Sequence, residues 1–170
     1  LKEKERMTKM CKNLQFNFES LKCDNNEVRM VYKLMLAKES NQPPCVQTVT
    51  KPRDVFELAK SYLTGVDREH FVILILDVKN KVIGINTVAI GTLSYCSVHP
   101  REVFKAAVVA NAALIIMIHN HPSGNPHPSS DDLALTARLK EAGDILGIPV
   151  VDHIVLGDEN YYSLKEAGNL

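Results

Sequence analysis

The sequence predicts an α/β fold, more closely an α+β sandwich in which helices flank one mixed central sheet. Three observations carry this. The runs Phe71–Leu76 and Ala112–His119, and Ile148–Leu156 apart from its Asp152-His153 interruption, are too apolar for strands with a wet face, so they belong inside a covered sheet. Segments with apolar residues at helical spacing alternate with them, opened by a proline or a serine cap. Turn residues separate the two kinds of segment, and no internal repeat or low-complexity tract interrupts the order.

Composition narrows the class. The 170 residues are 45% hydrophobic and 24% charged, the balance of one ordinary globular domain. Twenty basic residues meet 20 acidic ones, so the charge makes no case for bulk nucleic-acid binding. A local basic cluster, Lys2, Lys4, Arg6, Lys9 and Lys12, reads as a solvated arm. The four cysteines, Cys11, Cys23, Cys45 and Cys96, form no C-x-x-C pair and read as reduced cytosolic thiols. No apolar run reaches membrane-spanning length and no signal-peptide core stands at the start, which predicts a cytoplasmic protein without a membrane partner.

In chain order, residues 1–26 are polar and aperiodic and read as an N-terminal arm; residues 27–170 form the domain. Glu27–Lys38 alternates, with Val28, Met30, Tyr32, Leu34 and Leu36 on one face, and reads as a strand that Ser40–Pro44 breaks. A helix begins at Lys51-Pro52-Arg53-Asp54, carries Val55, Leu58, Ala59 and Tyr62 on one side, and ends near Gly65. Phe71–Leu76 is a central strand, Asp77–Lys81 a turn, and Val82–Ile90 the second arm of a hairpin, closed by Gly91. Pro100 opens a helix that continues through Val109. After the Ala112–His119 strand, a further helix runs from Ser129 to about Gly143. Ile148–Leu156 and a short Tyr161–Ser163 strand follow, separated by Gly157-Asp158.

The stretch from Ile115 to Asp132 carries the chemistry. On a strand, His119 and His121 project to one side, because side chains alternate. Pro122, Gly124, Pro126 and Pro128 then make a loop that turns but cannot join a sheet, and Ser129 with Asp131 and Asp132 starts the helix. Two histidines on one face plus Asp132 make a three-ligand divalent-metal site, which leaves a position for water and so fits catalysis.

The spacing H-x-H-x7-S-x2-D resembles the JAMM signature of JAB (MPN-type) zinc metalloproteases. The flanking words Val98-His99-Pro100-Arg101-Glu102-Val103-Phe104, His119-Asn120-His121-Pro122-Ser123-Gly124 and Val151-Asp152-His153-Ile154 resemble the bacterial RadC family. The resemblance covers about Lys51 to Ser163 and implies a JAB/MPN-like fold similar in shape to the cytidine deaminases. It implies one Zn2+ per chain on His119, His121 and Asp132, with Ser129 assisting the oxyanion or steadying the site. It also points to Glu69, just before the first buried strand, as the carboxylate that takes a proton from a zinc-activated water. Glu102 is the competing acid, but in the first turn of a helix it serves the helix dipole. Asp152 and His153 read either as a pair orienting a ligand histidine or as a buried structural pair.

The resemblance implies a zinc-dependent metallohydrolase acting on a peptide or isopeptide bond of an unspecified peptide or protein. Two other classes stay open: a DNA-repair-associated accessory protein whose metal is structural, and a metal-dependent nuclease. Against the nuclease, in-line phosphoryl displacement commonly uses two metals. The adjacent letters His119-Asn120-His121 are not an HNH nuclease motif, whose residues are dispersed. The H-x-E and P-C-x-x-C of zinc deaminases and the H-E-x-x-H of zincins are missing. Ser123–Pro128 and Gly91–Ser97 are candidate walls of a substrate groove, and an exposed edge strand would allow a homodimer.

Overall fold

A computed structural model describes residues 20–22, 28–30, 48–63, 65–91 and 98–170. The four cysteines, the Ser40–Pro44 break, most of Glu27–Lys38 and the segment 92–97 lie outside the described residues. The chain divides into two compact units, Leu1–Ala37 and Lys38–Leu170. In the first, β1 (Ser20–Lys22) pairs antiparallel with β2 (Val28–Met30), so the stretch expected as an arm contains a short strand.

Among its described residues, the second unit holds five strands and three helices. In chain order these are α1 (Pro52–Tyr62), β3 (His70–Leu76), β4 (Val82–Ile90), α2 (Pro100–Val109), β5 (Leu114–Asn120), α3 (Ser130–Leu146), β6 (Val150–Leu156) and β7 (Tyr161–Ser163). The strands form one mixed sheet in the order β4-β3-β5-β6-β7. Among the described residues, only the β5–β6 pair is parallel, because α3 carries the chain from the end of one strand back to the start of the other. This is the mixed, helix-flanked sheet that the apolar runs predict.

Alternation along the central strands splits the core into two layers. Val72, Leu74 and Leu76 of β3 join Ile116 and Ile118 of β5 against Val55, Phe56 and Ala59 of α1. Phe71, Ile73 and Ile75 face the other way, with Ile115 and Met117, against Val103, Phe104 and Ala107 of α2 and Leu139 of α3. Side chains such as Ile73, Leu74, Met117 and Ile118 are fully buried, each worth about 1.5–3 kcal/mol of transfer free energy. The register Phe71↔His119 then places His119 on the α2/α3 side of the sheet.

Helix ends follow sequence chemistry. Asp54 accepts from the Thr50 and Lys51 amides ahead of Pro52, and the His99 Nδ1 accepts from the Arg101 amide ahead of α2. Some boundaries differ from expectation by two or three residues; in particular, α3 passes Gly143 and stops at Leu146, capped by Gly147 at φ 69°. Gly143 is glycine for a packing reason instead. A Cβ there would stand 2.6 Å from the Ile148 carbonyl oxygen and 3.2 Å from the Phe104 ring.

Candidate metal centre

β5 ends as His119-Asn120, and His121 follows while its amide still bonds the Leu156 carbonyl of β6. The extended backbone therefore presents both histidines on the α3 side. The loop returns the chain so that Asp132, in the first turn of α3, meets them. His119 Nε2 lies 2.9 Å from His121 Nε2, 3.4 Å from Asp132 Oδ1, and His121 Nε2 lies 3.6 Å from Asp132 Oδ2. One ligand atom from each residue falls within 4.8 Å of the others, so this group is able to hold a metal ion.

The donor chemistry fits such an ion. The His121 Nδ1 is 2.7 Å from the Asn125 carbonyl oxygen, which only accepts, so Nδ1 carries the proton and Nε2 of the neutral ring is a lone pair. That lone pair, the His119 Nε2 and a carboxylate all aim at one point. The convergence requires positive charge at its centre, supplied by a shared proton or by a metal. Burial would raise the Asp132 carboxyl, but the polar His119 and His121 rings beside it and the Ser129 hydroxyl overcome this and hold it far below the usual carboxylate range. The Asp132 carboxylate beside it pushes the His121 ring above its ordinary value.

Ser129 caps α3 and steadies the carboxylate together. Its Oγ accepts from the Asp132 amide at 3.2 Å and donates to Asp132 Oδ2 at 2.7 Å, while its own amide donates to the same oxygen at 2.7 Å. Glu69 lies immediately before β3, half-buried. Desolvation raises its carboxyl; His119 and His121 pull it down and Asp132 pushes it up, so its charge senses all three cluster residues.

Of the Asp152-His153 pair, the structure brings only the histidine ring to the cluster. His153 Nε2 is 2.8 Å from His119 Nδ1. The Asp152 carboxylate accepts instead from the Ser163 hydroxyl and the His153 and Lys165 amides, fastening the segment after β7. Glu102 pairs with Lys105 on α2, and His127 is exposed beside the Tyr162 ring.

Two contributing residues escape a reading of the sequence. Asn120 points away from the histidines and grips the backbone on both sides of Glu69: its Oδ1 accepts from the His70 amide at 2.9 Å, and its Nδ2 donates to the Arg68 carbonyl at 3.1 Å. Nothing local marks it, because the contact depends on the β3–β5 register. Thr136 is buried against His153. Its place four residues after Asp132, on the same helix face, is the one signal that would have drawn notice.

Residues 49–169 match the RadC-like JAB domain family. A UPF0758 protein of Caldanaerobacter subterraneus is 52% identical over 121 residues, covering 71% of this chain and 52% of its own length. A UPF0758 protein of Desulfitobacterium hafniense is 43% identical over 144 residues, 85% of this chain and 63% of its own. One from Rubrobacter xylanophilus is 44% identical over 143 residues, 84% of this chain and 61% of its own. The chain thus spans between half and two thirds of these curated relatives. Its matched region contains the whole histidine–aspartate cluster, and the chain belongs to the RadC-like JAB domain family.

Proposed function

We propose that the domain is a zinc-dependent hydrolase of the JAB type that cleaves a peptide or isopeptide amide bond. The observation that carries this is the open three-donor cluster of His119, His121 and Asp132, with the half-buried Glu69 carboxyl close enough for its charge to couple to all three. A divalent ion held there would lower the pKa of a bound water to roughly 7 and polarise a carbonyl. The remaining work falls to the chain. Glu69 accepts a proton at its carboxylate and returns it to the leaving amine; its desolvation keeps that carboxyl above the ordinary range, nearer the pH at which such a transfer is balanced. Ser129 has one hydroxyl proton, and it is directed at Asp132 Oδ2, which favours the steadying role over direct oxyanion donation.

Support for zinc over other divalent ions comes from the donor set, two imidazoles and one carboxylate. The test is a screen of zinc-loaded protein against peptide and isopeptide conjugates, with Glu69→Gln alongside. We expect Glu69→Gln to retain metal and lose about 10²–10⁴-fold in kcat. Cleavage that survives both chelation and Glu69→Gln would contradict the reading. A steeply salt-dependent DNA shift with no amide cleavage would turn the assignment to an accessory role.

A further inference from the structure

His119 makes a second set of contacts through its other nitrogen, and they return to where they started. His119 Nδ1 is 2.8 Å from His153 Nε2; His153 Nδ1 is 2.6 Å from Thr136 Oγ1; Thr136 Oγ1 is 2.6 Å from the backbone oxygen of Asp132. His119, His153 and Thr136 are all buried, at 0%, 0% and 1% exposure, so water does not interrupt the series. Asp132 stands at both ends, by its carbonyl here and by its carboxylate at His119 Nε2.

The direction of this series is fixed by its last member. A carbonyl oxygen only accepts, so Thr136 spends its single proton on Asp132. The Thr136 oxygen must therefore accept from His153 Nδ1–H. The His153 ring touches His119, Thr136 and Phe71, none of them anionic, and an unpaired charge in such a place is costly. A neutral His153 with a proton on Nδ1 has a lone pair on Nε2. His119 Nδ1 must then donate to it, which leaves His119 Nε2 as a lone pair aimed at the cluster.

We propose that Thr136 is a positioning residue that sets the tautomer of His119 through His153, and so frees Nε2 for a metal. This rests on reading His119, His121 and Asp132 as metal ligands, and not on hydrolysis. One helix thereby supplies a ligand carboxylate and, one turn later, the hydroxyl that orients a ligand on a different element. Without the hydroxyl, the His153 proton has no acceptor at Nδ1. Moved to Nε2, it would oppose the His119 Nδ1 proton and force that one onto the metal-facing nitrogen.

Two measurements on the full chain test this. Long-range proton–nitrogen correlation spectra of native protein with ¹⁵N-labelled histidine should show protons on Nδ1 of both His119 and His153 and a bare Nε2 on His153. Zinc affinity by chelator competition should fall about tenfold or more in Thr136→Val, which keeps the shape, and recover in Thr136→Ser, which keeps the hydroxyl. A proton on His153 Nε2 in the native protein would overturn the proposal, and that result needs no variant to fold. Native zinc affinity in a folded Thr136→Val would overturn it too, with the metal reading left standing. Native protein that takes up no zinc would remove the metal reading and the proposal together.

Discussion

Asn120 sits between the two cluster histidines and does a different job. Its amide matches one N–H and one C=O at the start of β3, and this tethers the Glu69 backbone to the strand that carries His119. Each such bond contributes on the order of 1 kcal/mol, but the positional consequence is larger. A misplacement of about 1 Å in a catalytic group can cost 10²-fold in rate. Asn120→Asp, which cannot donate to the Arg68 carbonyl, should therefore keep its zinc and lose about 10–10²-fold in kcat, read from metal content and turnover on the same preparation. His121 gives a prediction in pH. Its proton is favoured in the metal-free folded state, so the stability it contributes is complete below the unfolded value of about 6.5 and is lost as pH rises through the raised folded value. A metal needs the same nitrogen deprotonated. Metal-free protein should lose Tm as pH rises through that window while zinc-loaded protein gains it; parallel curves from thermal melts would contradict this. At this scale legibility was uneven. The H-x-H alternation is visible because strand geometry alone puts His119 and His121 together, whereas Glu69 rested on resemblance and Asn120 on a cross-strand register that no local pattern encodes.

Among the elements, α3 is the one whose placement decides the site. Its first turn brings Asp132 to the histidines and its second brings Thr136 to His153, so small shifts of this helix reach two partners at once. Gly143 fixes how close its far end lies to the turn before β6. Alanine is the better helix former by about 1 kcal/mol, yet its methyl would press on the Ile148 carbonyl, a backbone atom that cannot rotate away. Gly143→Ala should therefore destabilise by about 1–3 kcal/mol despite its propensity, as read from denaturant midpoints. This is also why the expected helix end was misplaced: a glycine near a helix terminus usually caps it, and only the packing against Phe104 and Val150 shows this one to be internal. The loop between β5 and α3 is anchored likewise, since a Cβ on Gly157 would collide with the Gly124 carbonyl. The serine cap was legible, because S-x-x-D before a helix is both a capping pattern and part of the ligand spacing.

Across the whole molecule, the sheet converts sequence order into a site. The order β4-β3-β5-β6-β7 puts the chain's most apolar strands at its centre, where both faces are covered, and the cluster forms at the end of β5, where the strand runs out into the loop. Those apolar runs are why the fold class could be read from the sequence. The pairing of β5 with both β3 and β6 could not, and it is what gathers Glu69, His119 and His153 from three strands or their margins. The balanced charge leaves the cluster, rather than a long-range field, as the feature that distinguishes this molecule. Metal content by elemental analysis, on native protein beside Asp132→Ala and Asp132→Asn, tests the central claim most directly. The account predicts about one zinc per native chain and a large loss in both variants with the fold retained. Native protein that folds and takes up no zinc, or variants that hold it as tightly as native, would contradict it.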